Sequence, residues 1–302
     1  MTGTGGGAPT EFGSPEQVAR RLADVGYVSN PHIDQLVFLA SRLHRPMFLE
    51  GHPGSGKTYL ATALAEATGR QTYRVQCFAG VDASAALFEW DFAAQVLYLR
   101  SLQQHSAVAD GDDESIYSRR FLEARPIMRA VENPHSVLLI DEVDRADEAF
   151  EAVLLEFLSD YSITVPHLGT VCSPSPATHP IVVLTSNRTR DVHDALKRRC
   201  LYHYFEHPNL DQQTAVLASQ LPELRVERAQ SIVTFVDGYR QRDMIRPPGL
   251  SELLDFAAAL AVAADPVVSE SAVRAAARTL VKDPDDLCVV DQVPIPPALL
   301  EP

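Results

Sequence analysis

The segment Met47-Phe48-Leu49-Glu50-Gly51-His52-Pro53-Gly54-Ser55-Gly56-Lys57-Thr58 constrains the chain more than any other. It opens on a short apolar run of the kind buried as a strand, and from Gly51 to Thr58 it fits G-x-x-x-x-G-K-[ST]. Thr58 to Thr68 then has helix composition and closes on Gly69, a residue suited to a C-terminal cap. A glycine loop between strand and helix turns backbone N–H groups inward, and the helix N-terminus adds positive potential. Such a loop cradles phosphates, with Lys57 reaching the β and γ oxygens and the Thr58 hydroxyl available to magnesium. Gly51, His52, Pro53, Gly54, Ser55, Gly56, Lys57 and Thr58 are therefore the candidate nucleotide-binding residues.

A second element answers the loop. Val137-Leu138-Leu139-Ile140 reads as a buried strand, and it ends in Asp141-Glu142. Alone, this is an ordinary strand end with solvated acids. With a phosphate loop upstream, it carries a carboxylate to the edge of the sheet where Asp141 can hold a magnesium shell. A second carboxylate one residue on can polarise a water, so Glu142 points to hydrolysis more than to transfer onto a small hydroxyl substrate.

Around these motifs the chain divides by texture. The Gly-rich start, residues 1–13, can bury almost nothing and is expected to be disordered. Ser14-Pro15-Glu16-Gln17 supplies an N-cap, a first-position proline and a capping-box glutamine, and Asn30-Pro31 opens a second helix in the same way. Further strands are expected at Tyr73 to Cys77, Ile181 to Leu184 and Tyr202 to Phe205. Strands alternating with helical segments over 14–208 predict a parallel, doubly wound α/β domain. From 209 to 282 the pattern is helical only, beginning with a helix capped by Asp211, and a Pro-rich tail follows over 283–302. The acidic run Asp110 to Glu114 is read as a solvated loop.

Composition narrows the partners. A net charge of −14 argues against nucleic acid or an anionic membrane surface as the main partner. Cys77, Cys172, Cys200 and Cys288 are scattered without a CxxC pair, which fits buried thiols in a reducing compartment. No apolar run approaches a bilayer span, and the start lacks the basic and apolar regions of a signal peptide, so a cytoplasmic protein without membrane insertion is expected.

Read together, GHPGSGKT at 51–58, VLLIDEVDRAD at 137–147, VVLTSN at 182–187 and ALKRRC at 195–200 resemble the AAA+ ATPases, and within them the MoxR group. Gln76 to Asp82 with Leu87-Phe88-Glu89-Trp90-Asp91 is similar to the CoxD-like branch. The resemblance covers roughly residues 27–260. It implies a P-loop NTPase αβα sandwich with a parallel sheet, followed by an all-helical lid domain. It also implies ATP and Mg2+ as cofactors, with Asn187 as the residue holding the attacking water or the γ-phosphate. Arg199 matches the arginine finger inserted into a neighbouring subunit, with Arg198 as the alternative bearer. Where the family usually places a lid arginine, this chain has Pro248-Gly249-Leu250-Ser251-Glu252, and Arg246, a few residues earlier, either substitutes for it or caps the preceding helix. Tyr27-Val28 resembles the segment that packs on adenine, and Arg145 a subunit-interface residue. The implied function is a hexameric ring that remodels a protein client, a metalloenzyme, together with a von Willebrand factor A domain protein. The alternatives are a stand-alone P-loop phosphotransferase, a nucleic-acid motor, which the charge disfavours, and a GTPase, for which no Asn/Thr-Lys-x-Asp motif is present.

Overall fold

The computed structural model describes residues 12–80, 86–104, 115–173, 179–263 and 269–300. The expected acidic loop at 110–114 and residues 81–82 lie outside them. The chain forms two compact units, one of Met1–Arg21, Pro31–Glu50 and Ala61–Tyr204, the other of Leu22–Asn30, Gly51–Leu60 and Phe205–Pro302.

In chain order the elements are α1 (Pro15–Asp24), α2 (Pro31–Leu43), β1 (Met47–Gly51), α3 (Lys57–Thr68), β2 (Gln71–Gln76), β3 (Phe88–Trp90), α4 (Phe92–Gln104), β4 (Leu122–Ala124), α5 (Pro126–Glu132) and β5 (Ser136–Asp141). They continue with α6 (Glu148–Asp160), β6 (Ser162–Val165), β7 (Gly169–Cys172), β8 (Ile181–Ser186), α7 (Asp194–Arg199) and β9 (Leu201–Phe205). Thereafter only helices follow: α8 (Leu210–Gln220), α9 (Val226–Arg240), α10 (Leu250–Ala263) and α11 (Glu270–Ala277), with short 3-10 turns after them.

The first unit is built on a five-stranded sheet in the order β2-β5-β8-β1-β9. The β2/β5, β5/β8 and β8/β1 pairs are parallel. This is the α/β P-loop architecture the sequence predicts, with a helical C-terminal region. The central strands β1 and β5 are buried along their whole length, which is why they read as unbroken apolar runs. At the sheet edge, β2 buries only Val75 and carries Arg74 and Gln76 on its open side. Two small antiparallel pairs, β3/β4 and β6/β7, were not expected; their strands are three or four residues long and too short for a periodic signal.

Several expectations need correction. Phe12 falls in the segment 1–13 expected to bury almost nothing and to be disordered, of which residues 1–11 lie outside the described residues; its ring is fully buried and carries the Arg21 guanidinium 5.5 Å from its centre, so order begins before Ser14. The Gln17 side chain accepts from the Gly13 N–H at 2.6 Å, one residue earlier than a capping box requires. Finally, Cys172 and Cys288 are exposed, whereas burial pushes the Cys77 and Cys200 thiols up to about 12 and leaves them protonated at neutral pH.

The second unit has its own core, formed by Leu217, Phe235, Tyr239, Phe256, Leu280 and Leu299 among others. Asn209, rather than Asp211, caps α8 in a reciprocal box with Gln212. The tail is bound into this unit: Tyr239 donates to the Val290 carbonyl at 3.0 Å, and Arg274 donates to Val290 and Val293 at 2.7 Å. The buried Asp286 carboxylate accepts from the N–H groups of Ile245 and Arg246. Among the described residues no helix is long and apolar enough to cross a membrane.

Candidate functional site

The glycine loop lies in the second unit. At Gly51 any Cβ would stand 2.5 Å from the Phe205 carbonyl oxygen, so the approach of backbone to backbone excludes a side chain. Gly56 sits at φ +92°, which strains an L residue, and this turn leads into α3. Lys57 is only 5% exposed. Its ammonium donates to the carbonyls of Gly51 at 2.9 Å and His52 at 2.7 Å, and to the Ser55 hydroxyl at 3.3 Å. The charge is thus held inside the loop by oxygens that phosphate oxygens can replace. In the same unit the buried Tyr27 ring lies 5.7 Å from the Tyr59 ring, whose hydroxyl accepts from Gln220 at 2.9 Å.

The carboxylates lie in the first unit, at the end of β5. Asp141 accepts from the Thr185 hydroxyl and from Arg74, both at 2.5 Å. Glu142 adopts a left-handed backbone, φ 55° and ψ 49°, a conformation that costs a non-glycine residue about 1–3 kcal/mol. The Thr185 hydroxyl fixes it there by accepting from the Glu142 N–H at 2.9 Å. Three donors hold its carboxylate: Asn187 Nδ2 at 3.2 Å, Gln76 Nε2 at 3.2 Å and Arg145 Nε at 3.0 Å. Arg145, expected at a subunit interface, therefore contacts Glu142 of its own chain. Arg74 and Gln76 were not singled out for chemistry. Their signal lies in the strand register, which sets Gln76 beside Asp141 and Arg74 two residues back on the same face.

Asp144 braces this arrangement. Its carboxylate, 1% exposed, accepts from the N–H of Asn187 at 3.1 Å and from the N–H and hydroxyl of Thr189 at 2.8 and 2.6 Å. Burial alone would push this carboxyl up, but the Thr189 and Asn187 donors outweigh it and hold it below the ordinary carboxylate range. The stabilisation is complete above the unfolded value of about 3.9 and is lost as pH falls through the lower folded value. Asp144→Asn is therefore expected to lose about 1.5–3 kcal/mol at neutral pH. The gap from wild type should narrow in acid. Urea unfolding in neutral and acid buffers checks this, and a gap unchanged in acid would remove the charge from the argument.

Arg198 and Arg199 end the short helix α7 and are both exposed. Arg199 Nε donates to the Ser159 hydroxyl at 3.0 Å. In the other unit the Arg246 side chain is 68% exposed, with its Nε 3.8 Å from the Asp283 carboxylate in a loose surface ion pair. Arg240 instead donates to the carbonyls of Pro248 and Gly249 before α10.

A family model described as the AAA domain, dynein-related subfamily, matches residues 46–200. An uncharacterized protein of Staphylococcus saprophyticus is 25% identical over 227 residues, 72% of this chain and 78% of its own. One from Staphylococcus epidermidis is 25% identical over 215 residues, 68% and 74%. Two mutant forms of Thermotoga maritima RuvB are similar in structure at 15% identity, with TM-scores of 0.47 and 0.49. These alignments cover 91% and 92% of this chain and 73% and 75% of theirs.

Proposed function

We propose, from the premise that this chain belongs to the AAA domain family of the dynein-related subfamily, that it hydrolyses ATP and does so between subunits of a ring. The observation that carries hydrolysis is the Glu142 carboxylate, fixed in a left-handed turn at the end of a buried strand and hydrogen-bonded to Asn187. In this reading Lys57 and the loop 51–58 hold the phosphates, Glu142 takes the proton of the attacking water, and the Asn187 amide orients that water. Arg199 reaches the γ-phosphate bound by the adjoining subunit. The Thr58 hydroxyl and the Asp141 carboxylate are hard oxygen donors suited to Mg2+, which when bound would neutralise charge on the transferring phosphoryl group. Glu142 must leave part of its present hold to act as base, so exchange of Gln76 and Arg145 for water belongs to the cycle.

The finer reading is a MoxR-type hexamer of the CoxD-like branch, working with a von Willebrand factor A domain protein on a metalloenzyme client. It rests on the motif resemblance. Sites shared between subunits make ATP favour assembly by mass action. Glu142→Gln keeps the shape of the site and loses the base, so it should bind ATP, assemble, and lose hydrolysis by about 10² or more. Sedimentation with ATP and Mg2+ reads the assembly, and the same variant as bait reads the client. A single-chain particle under all conditions would overturn the ring and favour a stand-alone phosphotransferase.

A further inference from the structure

Glu50 is the last residue before the glycine loop, and its carboxylate is withdrawn from solvent at 4% exposure. No step of the reaction above uses it. Lys197 Nζ donates to Glu50 Oε1 at 3.1 Å, and the Tyr202 hydroxyl donates to Oε2 at 2.7 Å. The Lys197 ammonium also lies 5.5 Å from the centre of the Phe48 ring and 6.0 Å from that of Tyr202, two rings stacked on one another. Burial alone would push the Glu50 carboxyl up, yet the Tyr202 and Lys197 donors hold it below the ordinary range, so it stays charged. Tyr202, raised to about 12 by burial and by Glu50, stays protonated and keeps donating.

Lys197 is therefore no solvated helix end, although it sits in the same basic triplet as Arg198 and Arg199. α7 has six residues, too few to be stable without tertiary contacts. Its orientation must come from what holds it. Arg45 fixes its C-terminal end by donating to the carbonyls of Arg198 at 2.7 Å and Arg199 at 3.2 Å. Leu196, fully buried in the core, turns one face of the helix inward, and Lys197 on the next position adds a polar anchor, because successive helical side chains leave the axis about 100° apart. Anchoring Lys197 on β1 thus restricts the directions in which Arg198 and Arg199 point.

We propose that Glu50 and Lys197 are a positioning pair that sets the rotation of helix 194–199 and so presents Arg199 to the neighbouring subunit. The inference rests on the reading of Arg199 as a finger, and its test separates the two. The reference is a mixture of Glu142→Gln subunits, which lack a base but offer a finger, with Arg199→Ala subunits, which keep a base but offer none. Activity should return where an Arg199→Ala site faces a Glu142→Gln neighbour. Removing Lys197 alone would leave the buried Glu50 carboxylate without its cation, so Glu50→Gln and Lys197→Met are introduced together. Methionine keeps the stem packed on Phe48.

Placed in the Glu142→Gln subunit, the double change should lower the recovered rate about tenfold or more, because small misplacements of a catalytic group are costly. In the Arg199→Ala subunit it should leave the recovered rate within about twofold of the reference, since that subunit's finger is already absent. A merely structural defect would lower both mixtures alike. Equal loss in the two, or loss in neither, overturns the proposal. Tag pull-down first establishes that mixed rings form in each case. If rings form and the reference mixture itself recovers nothing, the finger reading fails, and the positioning pair fails with it.

Discussion

Lys57→Ala is expected to abolish measurable ATP binding as well as turnover. The ammonium now bonded to the carbonyls of Gly51 and His52 is the mobile charge that the loop can offer to phosphate oxygens. Two charge-assisted hydrogen bonds at about 1.5–3 kcal/mol each correspond to a loss of about 10² to 10⁴ in affinity. Calorimetry with ATP reads this directly. Because Lys57 is buried, the truncation also removes donors from the loop, and the thermal midpoint without nucleotide shows whether the fold survives. A folded variant that binds ATP with near-normal affinity would remove Lys57 from the phosphate clamp.

The parts of this molecule legible in its sequence are those whose signal is local. β1, β5 and β8 are apolar because both faces of the sheet are covered, and the loop after β1 carries its glycines because the backbone demands them at Gly51 and Gly56. What stayed hidden depends on pairing across the chain. Arg74 and Gln76 look like any exposed residues of an edge strand until the register sets them against Asp141 and Glu142. Asp144 reads as one more acid after β5, although it ties that turn to the strand-end residues Asn187 and Thr189. Lys197 reads as one of three basic residues, and only its contact with Glu50 sets it apart from Arg198 and Arg199. Phe12 was lost because composition averages over a segment, whereas a single aromatic ring can order the residues beside it.

Arg199→Ala is expected to slow ATP hydrolysis by about 10³ or more while ATP binding survives, since an arginine finger acts on charge that develops as the phosphoryl group transfers. Within its own chain the Arg199 side chain is bonded to the Ser159 hydroxyl, an uncharged partner at the exposed surface where water competes for the same donor. That contact is weak enough to be exchanged for a phosphate oxygen across an interface, so the resting position does not oppose the role. Arg198 shares the exposed helix end, and the two are told apart by their effects: Arg198→Ala should cost less than about tenfold if Arg199 is the finger. A finger acting on the neighbour's nucleotide also makes the wild-type rate per subunit rise with protein concentration through the assembly range. Steady-state ATPase assays across that range, run beside sedimentation, read this. A rate per subunit that is flat while the particle grows, or an Arg199→Ala variant as fast as wild type, would place Arg199 outside the reaction.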